Sequence, residues 1–268
     1  MTKAHDTAER LTALEMSVAA LEGKGKSWYK NPGTLISFVA LLLSLTAFGY
    51  TSYREINKEK EQRKDHFRSA LSELISQLNS MSAQAMEVMY KYRSEPFVGE
   101  IAVNSISNQL RLVGNHAYDL LTSLGNEASV FDGVIIAKAL QEGGDLDTSA
   151  KPLTYVLPLA RTPSEYLIVT RMLGGLKYQQ GNFDDGNKYF EMALQVSRKF
   201  AMDQNEINSN NVNSEIYWAL MAAGKQCKLA RQHAAEAENL ISNGSSGLSA
   251  NKTQMLDQIQ SVSKLCPD

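Results

Sequence analysis

Residues Thr34 to Tyr53 read TLISFVALLLSLTAFGYTSY, an unbroken run without a charged side chain. At a rise of about 1.5 Å per residue such a helix is about 30 Å long, the thickness of a bilayer's hydrocarbon layer. Trp28 and Tyr29 precede the run and Tyr50 and Tyr53 close it, as suits aromatic rings at a membrane interface. Pro32 stands where the first turn of a helix needs no N–H. A buried core helix of this length would carry a charged face. A cleaved signal would have a shorter apolar region, about 7–15 residues, and a small-x-small site that Thr46-Ala47-Phe48 and Gly49-Tyr50-Thr51 match poorly. The run reads as an uncleaved anchor over 34–53, and the protein as integral to the plasma (inner) membrane with a single pass.

The flanking charges bear on orientation. Lys24, Lys26 and Lys30 lie before the anchor, and Arg54, Lys58, Lys60, Arg63, Lys64 and Arg68 follow it. The positive-inside rule places the C-terminal part in the cytoplasm. A periplasmic or extracellular location stays open for two reasons. The N-terminal tail would otherwise cross the membrane with Asp6, Glu9, Glu15, Glu22 and several cations. Cys227 also precedes one expected helix, about 228–241, and Cys266 follows another, about 249–264. An antiparallel pairing of those helices brings the thiols together, and a disulfide there implies an oxidising compartment.

Outward from the anchor, the chain reads as helix nearly throughout. Residues 1–23 hold Leu11, Leu14, Val18 and Leu21 in a short coiled-coil-like seam, joined by a linker over 24–33. Past the anchor, REINKEKEQRK from Arg54 to Lys64 alternates charges at helical spacings and reads as a solvated stalk. Phe67, Leu71, Leu74, Leu78, Met81, Ala85, Val88 and Tyr92 then keep a heptad rhythm. After a break at Pro96, Val103, Ile106, Leu110, Val113, Ala117, Leu120 and Leu124 repeat it. Two such stripes joined by a short loop predict a long helical hairpin within 54–126. A helix is expected over about 128–141, ending at Gly143-Gly144. A polar loop from Asp145 to Ser149 and a short helix from Leu153 to Arg161, bent at Pro158, should follow.

Thr162-Pro163-Ser164-Glu165 is a helix start, with a capping Thr, Pro at the first helical position and Glu three residues after the cap. The continuation YLIVTRMLGGLKYQQGNFDDGNKYFEMALQVSRK resembles a tetratricopeptide repeat (TPR), a helix–turn–helix unit of about 34 residues. Leu173-Gly174, Gly181, Phe183, Tyr189-Phe190 and Ala193-Leu194 carry the resemblance. Two positions depart from it: Gly186 stands where the family prefers Ala, and Lys177 where it has an aromatic residue, with Tyr178 one place late. Ser214 to Ile241 is a weaker second unit, and a last helix with Met255, Ile259 and Val262 should cap the stack. The expected fold is therefore all-α: one transmembrane helix, a long hairpin, then a TPR-like stack over 127–268. The whole resembles bacterial single-pass membrane proteins with TPR-like domains.

Composition and motifs exclude more than they assign. Lys and Arg number 27 against 29 Asp and Glu, so no basic excess exists to gather nucleic-acid phosphates. His5, His66, His116 and His233 are scattered, and the cysteines form no CxxC. Phosphate-loop, dinucleotide and nucleophile-elbow patterns do not occur. Asn243-Gly244-Ser245 and Asn251-Lys252-Thr253 are chance-level acceptor tripeptides. No catalytic residue, metal ligand, cofactor site or small-molecule substrate is evident, and the chain does not read as an enzyme. The TPR resemblance implies a membrane-tethered scaffold that binds a protein partner through the first helix of each unit. Its inward positions fall on Arg171 and Tyr178, with Gly175 keeping the surface open between them and Tyr217 and Trp218 extending the face. The alternative is a self-associating structural subunit without a separate client. The bilayer is a partner in either case.

Overall fold

The computed structural model describes residues 32–243 and 251–267, and every extended regular element among them is a helix. The seam expected over 1–23, the aromatic residues Trp28 and Tyr29 and the Gly244–Ala250 connection lie outside the described residues. The chain divides into two compact units, Met1–Gln62 and Arg63–Asp268.

Helix α1, Pro32–Lys91, contributes to both units. Its first part holds a stretch long and apolar enough to cross a membrane. There Ile36, Leu41, Leu43 and Phe48 are all more than half exposed. A soluble domain would bury such a surface; lipid would cover it. Four hydroxyls in this stretch also find partners inside the helix. Ser37 donates to the Gly33 carbonyl, Ser44 to Ala40, Thr46 to Leu43 and Thr51 to Ala47, at 2.8–2.9 Å.

In the second unit, residues 63–91 of α1 turn their stripe inward. Leu71 and Leu78 are buried beside Leu110, Ala117 and Leu121 of α2, Pro96–Ser123. Polar contacts hold the outer edge: Lys64 and Arg68 both pair with Glu127, and Ser82 donates to Glu142.

Behind α2 come three successive helix pairs. They are α3, Val130–Glu142, with α4, Leu146–Val156; α5, Pro163–Gln179, with α6, Phe183–Leu194; and α7, Gln204–Ala222, with α8, Cys227–Asn243. Helix α9, Lys252–Leu265, closes the series by burying Met255, Ile259 and Val262. Each pair turns on a glycine of positive φ: Gly144, Gly181 and Gly224. That backbone strains any residue with a Cβ. The first two turns share one design. After the glycine, the Asp145 and Asn182 amides donate back to the carbonyls of Leu140 and Lys177. The same two side chains then accept from Thr148 and Asp185 to cap the following helix. Asp145 to Ser149, expected as a loop, therefore belongs almost wholly to α4. The cap offsets the cost of starting a helix directly after a turn. Pro152 falls inside α4, and the chain tightens into a 3₁₀ turn at Leu157–Leu159 before Thr162 caps α5.

The two departures of the α5–α6 unit from the TPR pattern are a single exchange in packing. A Cβ on Gly186 would lie 2.6 Å from the Tyr178 ring. The aromatic ring displaced by one position occupies the space that an alanine methyl would need. Helix propensity alone favours Gly186→Ala by about 0.5–1 kcal/mol, whereas overpacking a filled site costs about 1–3 kcal/mol. Gly186→Ala should therefore lower stability in a urea or thermal unfolding series. A gain would show that Tyr178 does not fill this space.

Candidate functional site

Helix α5 sits between two cores. Leu173 and Leu176 join one with α1–α4, whereas Tyr178 joins Phe190 and Trp218 in the other. Its remaining face looks towards α7. There Arg171 and Tyr217 line a cavity of about 480 Å³, with Leu167, Met172, Leu220 and the α9 residue Gln258 among its other walls.

Arg171 dominates the electrostatics of this cavity. Its Nε donates to Ser214 Oγ at 3.0 Å and an Nη2 hydrogen to the Asn210 carbonyl at 2.7 Å. Ser214 donates in turn to the same carbonyl. Among the described residues no carboxylate pairs with Arg171. Burial disfavours the unpaired charge and pushes its pKa down to about 10, so the side chain stays a cation near neutral pH. Burial also raises the Tyr217 phenol, and the neighbouring guanidinium only partly opposes that. No other lining residue is charged. The site is a single buried positive charge on a mixed apolar and amide wall. It can bind an anion; it offers no nucleophile–base pair.

Three of the five expected contact residues take different places from those expected. Gly175 is buried, and a Cβ there would come 3.0 Å from the Tyr217 hydroxyl. It lets α7 approach α5 instead of keeping a surface open. Tyr178 and Trp218 are 0% and 4% exposed and cannot touch a partner. The Trp218 indole donates towards the Tyr178 hydroxyl and Asn187 Oδ1 at 3.1 and 3.0 Å, Tyr178 also bonds Asn187, and Lys225 Nζ donates to the Tyr178 carbonyl. Burying a Tyr and a Trp requires such partners, and the two ring systems lock α5, α6 and α7 together. Arg171 and Tyr217 alone reach the cavity.

A second polar cluster escaped notice in the sequence. Glu215 on α7 and His233 on α8 are both buried, with the carboxylate oxygen 2.5 Å from Nδ1. The imidazole stacks on Trp218 with ring centres 3.7 Å apart, and its Nε2 is buried without a hydrogen-bond partner. Separated by 18 positions on different helices, the pair leaves no motif to find. It does not line the Arg171 cavity and belongs to the packing of α7 on α8. Among the described residues no group of three or more His, Cys, Asp or Glu side chains could hold a metal ion.

Cys227 and Cys266 are bonded, with Cα atoms 5.2 Å apart. The bridge ties the end of α9 to the start of α8, and Arg231 donates to the Pro267 carbonyl beside it at 2.8 Å. Closing a loop of this size contributes about 3–4 kcal/mol in the chain-entropy view.

No family model matches the chain, and no curated protein matches it. Among solved structures, a crystal structure of BtubC (BKLC) from P. vanneervenii aligns over 72% of this chain and 84% of that one, at 14% identity and a TM-score of 0.41.

The Glu215–His233 pair predicts an asymmetry. His233→Ala leaves a carboxyl group buried without its partner, whereas Glu215→Ala leaves an imidazole. Such orphaning costs about 1–3 kcal/mol, more for a group that carries charge. Unfolding titrations should rank His233→Ala below Glu215→Ala. The double change to Ala should lose less than the two single losses summed. Additive losses would show that the pair is not coupled.

Proposed function

We propose that this protein is a membrane-tethered helical-repeat scaffold whose TPR-like domain docks a protein partner in the cavity between α5 and α7. The observation that carries this reading is Arg171, a cation held in a largely buried position, unpaired among the described residues, on the wall of an open cavity. Buried charge is costly to keep and is usually paired within its own chain. Three consecutive helix pairs capped by a final helix support the repeat architecture, because stacked pairs supply a continuous surface that one pair lacks. A photoreactive phenylalanine analogue at Leu220, a partly exposed cavity residue, should crosslink in native membranes to a distinct polypeptide. Exclusive crosslinking to a second copy of the chain supports the self-associating subunit instead, and no crosslinking at all removes the scaffold reading. That alternative draws on Met86, Met89, Tyr90, Phe97 and Ile101, all more than half exposed around the turn from α1 to α2.

We infer further that the domain faces an oxidising compartment. The Cys227–Cys266 bond supports this side, because thiol-reducing cytoplasm keeps such pairs open. The charge count at the anchor favours the cytoplasm. Yet with the domain on the oxidising side the charged N-terminal tail, with Asp6, Glu9, Glu15, Glu22 and its cations, has no membrane to cross. A membrane-impermeant maleimide applied to intact cells should modify the partly exposed Cys227 only after a reductant. Modification that needs lysis but no reductant would place the domain in the cytoplasm with its thiols free.

A further inference from the structure

We propose that Cys227 is a site of thiol–disulfide exchange with a protein dithiol, and that exchange there releases α9 from α8. This goes beyond the scaffold reading and stands without it. The two sulfurs of the bond are unequal. Cys266 is 1% exposed, and its Sγ accepts the Gly224 N–H at 3.2 Å. Cys227, the first residue of α8, is partly exposed and lines an open cleft of about 530 Å³. A thiolate from outside therefore reaches Cys227 alone. Exchange depends on access, on which sulfur is attacked and on how readily the other sulfur leaves. The Gly224 amide already donates to the sulfur that would leave.

The steps balance between the pair and one dithiol. A thiolate of the partner attacks Cys227 Sγ, forming a mixed disulfide and breaking the Cys227–Cys266 bond. Cys266 leaves as a thiolate held by the Gly224 N–H and takes up a proton. The partner's second thiol loses its proton and attacks the partner's own sulfur in the mixed disulfide, and Cys227 leaves as a thiolate. Two electrons have passed from the dithiol, now a disulfide, to the pair, now two thiols. A monothiol cannot reach this end, because Cys266 stays beside the mixed disulfide at high effective concentration and re-forms the original bond. That selects a dithiol, and the cleft wall selects a peptide. Asn187 and Gln226 meet the Tyr178–Trp218 network through their side-chain oxygens, which leaves their N–H groups as donors. With Gln232 they offer amides to a peptide backbone, beside one apolar side chain, Leu229, and one cation, Lys228. Opening the bond acts on α9. That helix has 14 residues, about the length at which a helix alone in water is marginal. It is held otherwise by Met255, Ile259 and Val262. Its Gln258 forms part of the Arg171 cavity, so exchange alters a wall of that cavity.

The test uses the full chain in lipid nanodiscs without denaturant. The probes are a cysteinyl-glycyl-prolyl-cysteine peptide blocked at both ends, the same peptide with its second cysteine replaced by serine, and dithiothreitol. The dithiol peptide should open the bond at a rate that saturates with its concentration, whereas the dithiothreitol rate rises linearly. Acid quenching of the serine peptide's reaction, followed by mass spectrometry, should find the adduct on Cys227 at least about tenfold more often than on Cys266. Gln232→Ala, at an exposed position, should raise the half-saturating peptide concentration about threefold, as loss of one hydrogen bond implies, and leave the dithiothreitol rate unchanged. Once the bond is open, amide hydrogen exchange of residues 252–265 should quicken at least about tenfold relative to residues 163–179. A bond that opens only in denaturant overturns the exchange site, as do adducts shared equally between the cysteines. A linear peptide rate, or an unmoved half-saturation in Gln232→Ala, overturns the peptide cleft. Unchanged protection of α9, or an equal loss in α5, overturns the release.

Discussion

The ring of Phe190 lies where a side chain on residue 174 would have to be. A Cβ on Gly174 would stand 2.8 Å from it, so α5 and α6 pack at a separation that only glycine permits. The consequence reaches both cores. From this close pair, Leu173, Leu176 and Ala193 pack towards α1–α4, and Tyr178 and Phe190 pack towards α7–α9. Protein interiors tolerate little rearrangement, so a wider α5–α6 spacing would loosen the two clusters together. The first pair shows the same device in reverse: Gly133 on α3 receives Val156 of α4, whose methyl would lie 2.6 Å from a Cβ.

The cavity is a by-product of that arrangement. With one side of α5 committed to each core, the side bearing Arg171 and Gly175 is left for α7. Gly175 admits the Tyr217 ring, which draws α7 in near one end. Ser214 and the Asn210 carbonyl then grip the guanidinium. Two donors are satisfied and the charge is not. A hydrophobic residue would fill the position at lower cost to stability. The cation in this place is the feature on which the proposed scaffold role rests.

The disulfide and the anchor charges pull in opposite directions on sidedness, and they differ in kind. Charge bias around an anchor is a statistical preference. A bond between residues 39 positions apart is a covalent feature of the kind that oxidising compartments keep and cytosolic reductants open. The same bond holds α9 against α8, and α9 supplies Gln258 to the cavity. The disulfide and the geometry of the cavity are thereby connected through one covalent link.

Much of the architecture was legible because it is written in local periodicity. The apolar run at 34–53, the heptad stripes through Leu71 and Leu110, the Thr162–Glu165 cap and the turn at Gly181 each depend on neighbours within a few positions, and helix formation is local. Gly144-Asp145-Leu146 even repeats Gly181-Asn182-Phe183 in form. That echo could have shown that 145–149 opens a helix. What only the tertiary structure decided is which face each stripe residue meets. Tyr178 and Trp218 sit on the same helices as Arg171 and Tyr217, yet they are buried because a third helix, α6, covers them. Glu215 meets His233, and Cys227 meets Cys266, across helices whose relative rotation no single segment encodes. Side-chain spacing along one helix reveals that a face exists; the partner that covers it, or leaves it open, is set by the packing of all the others.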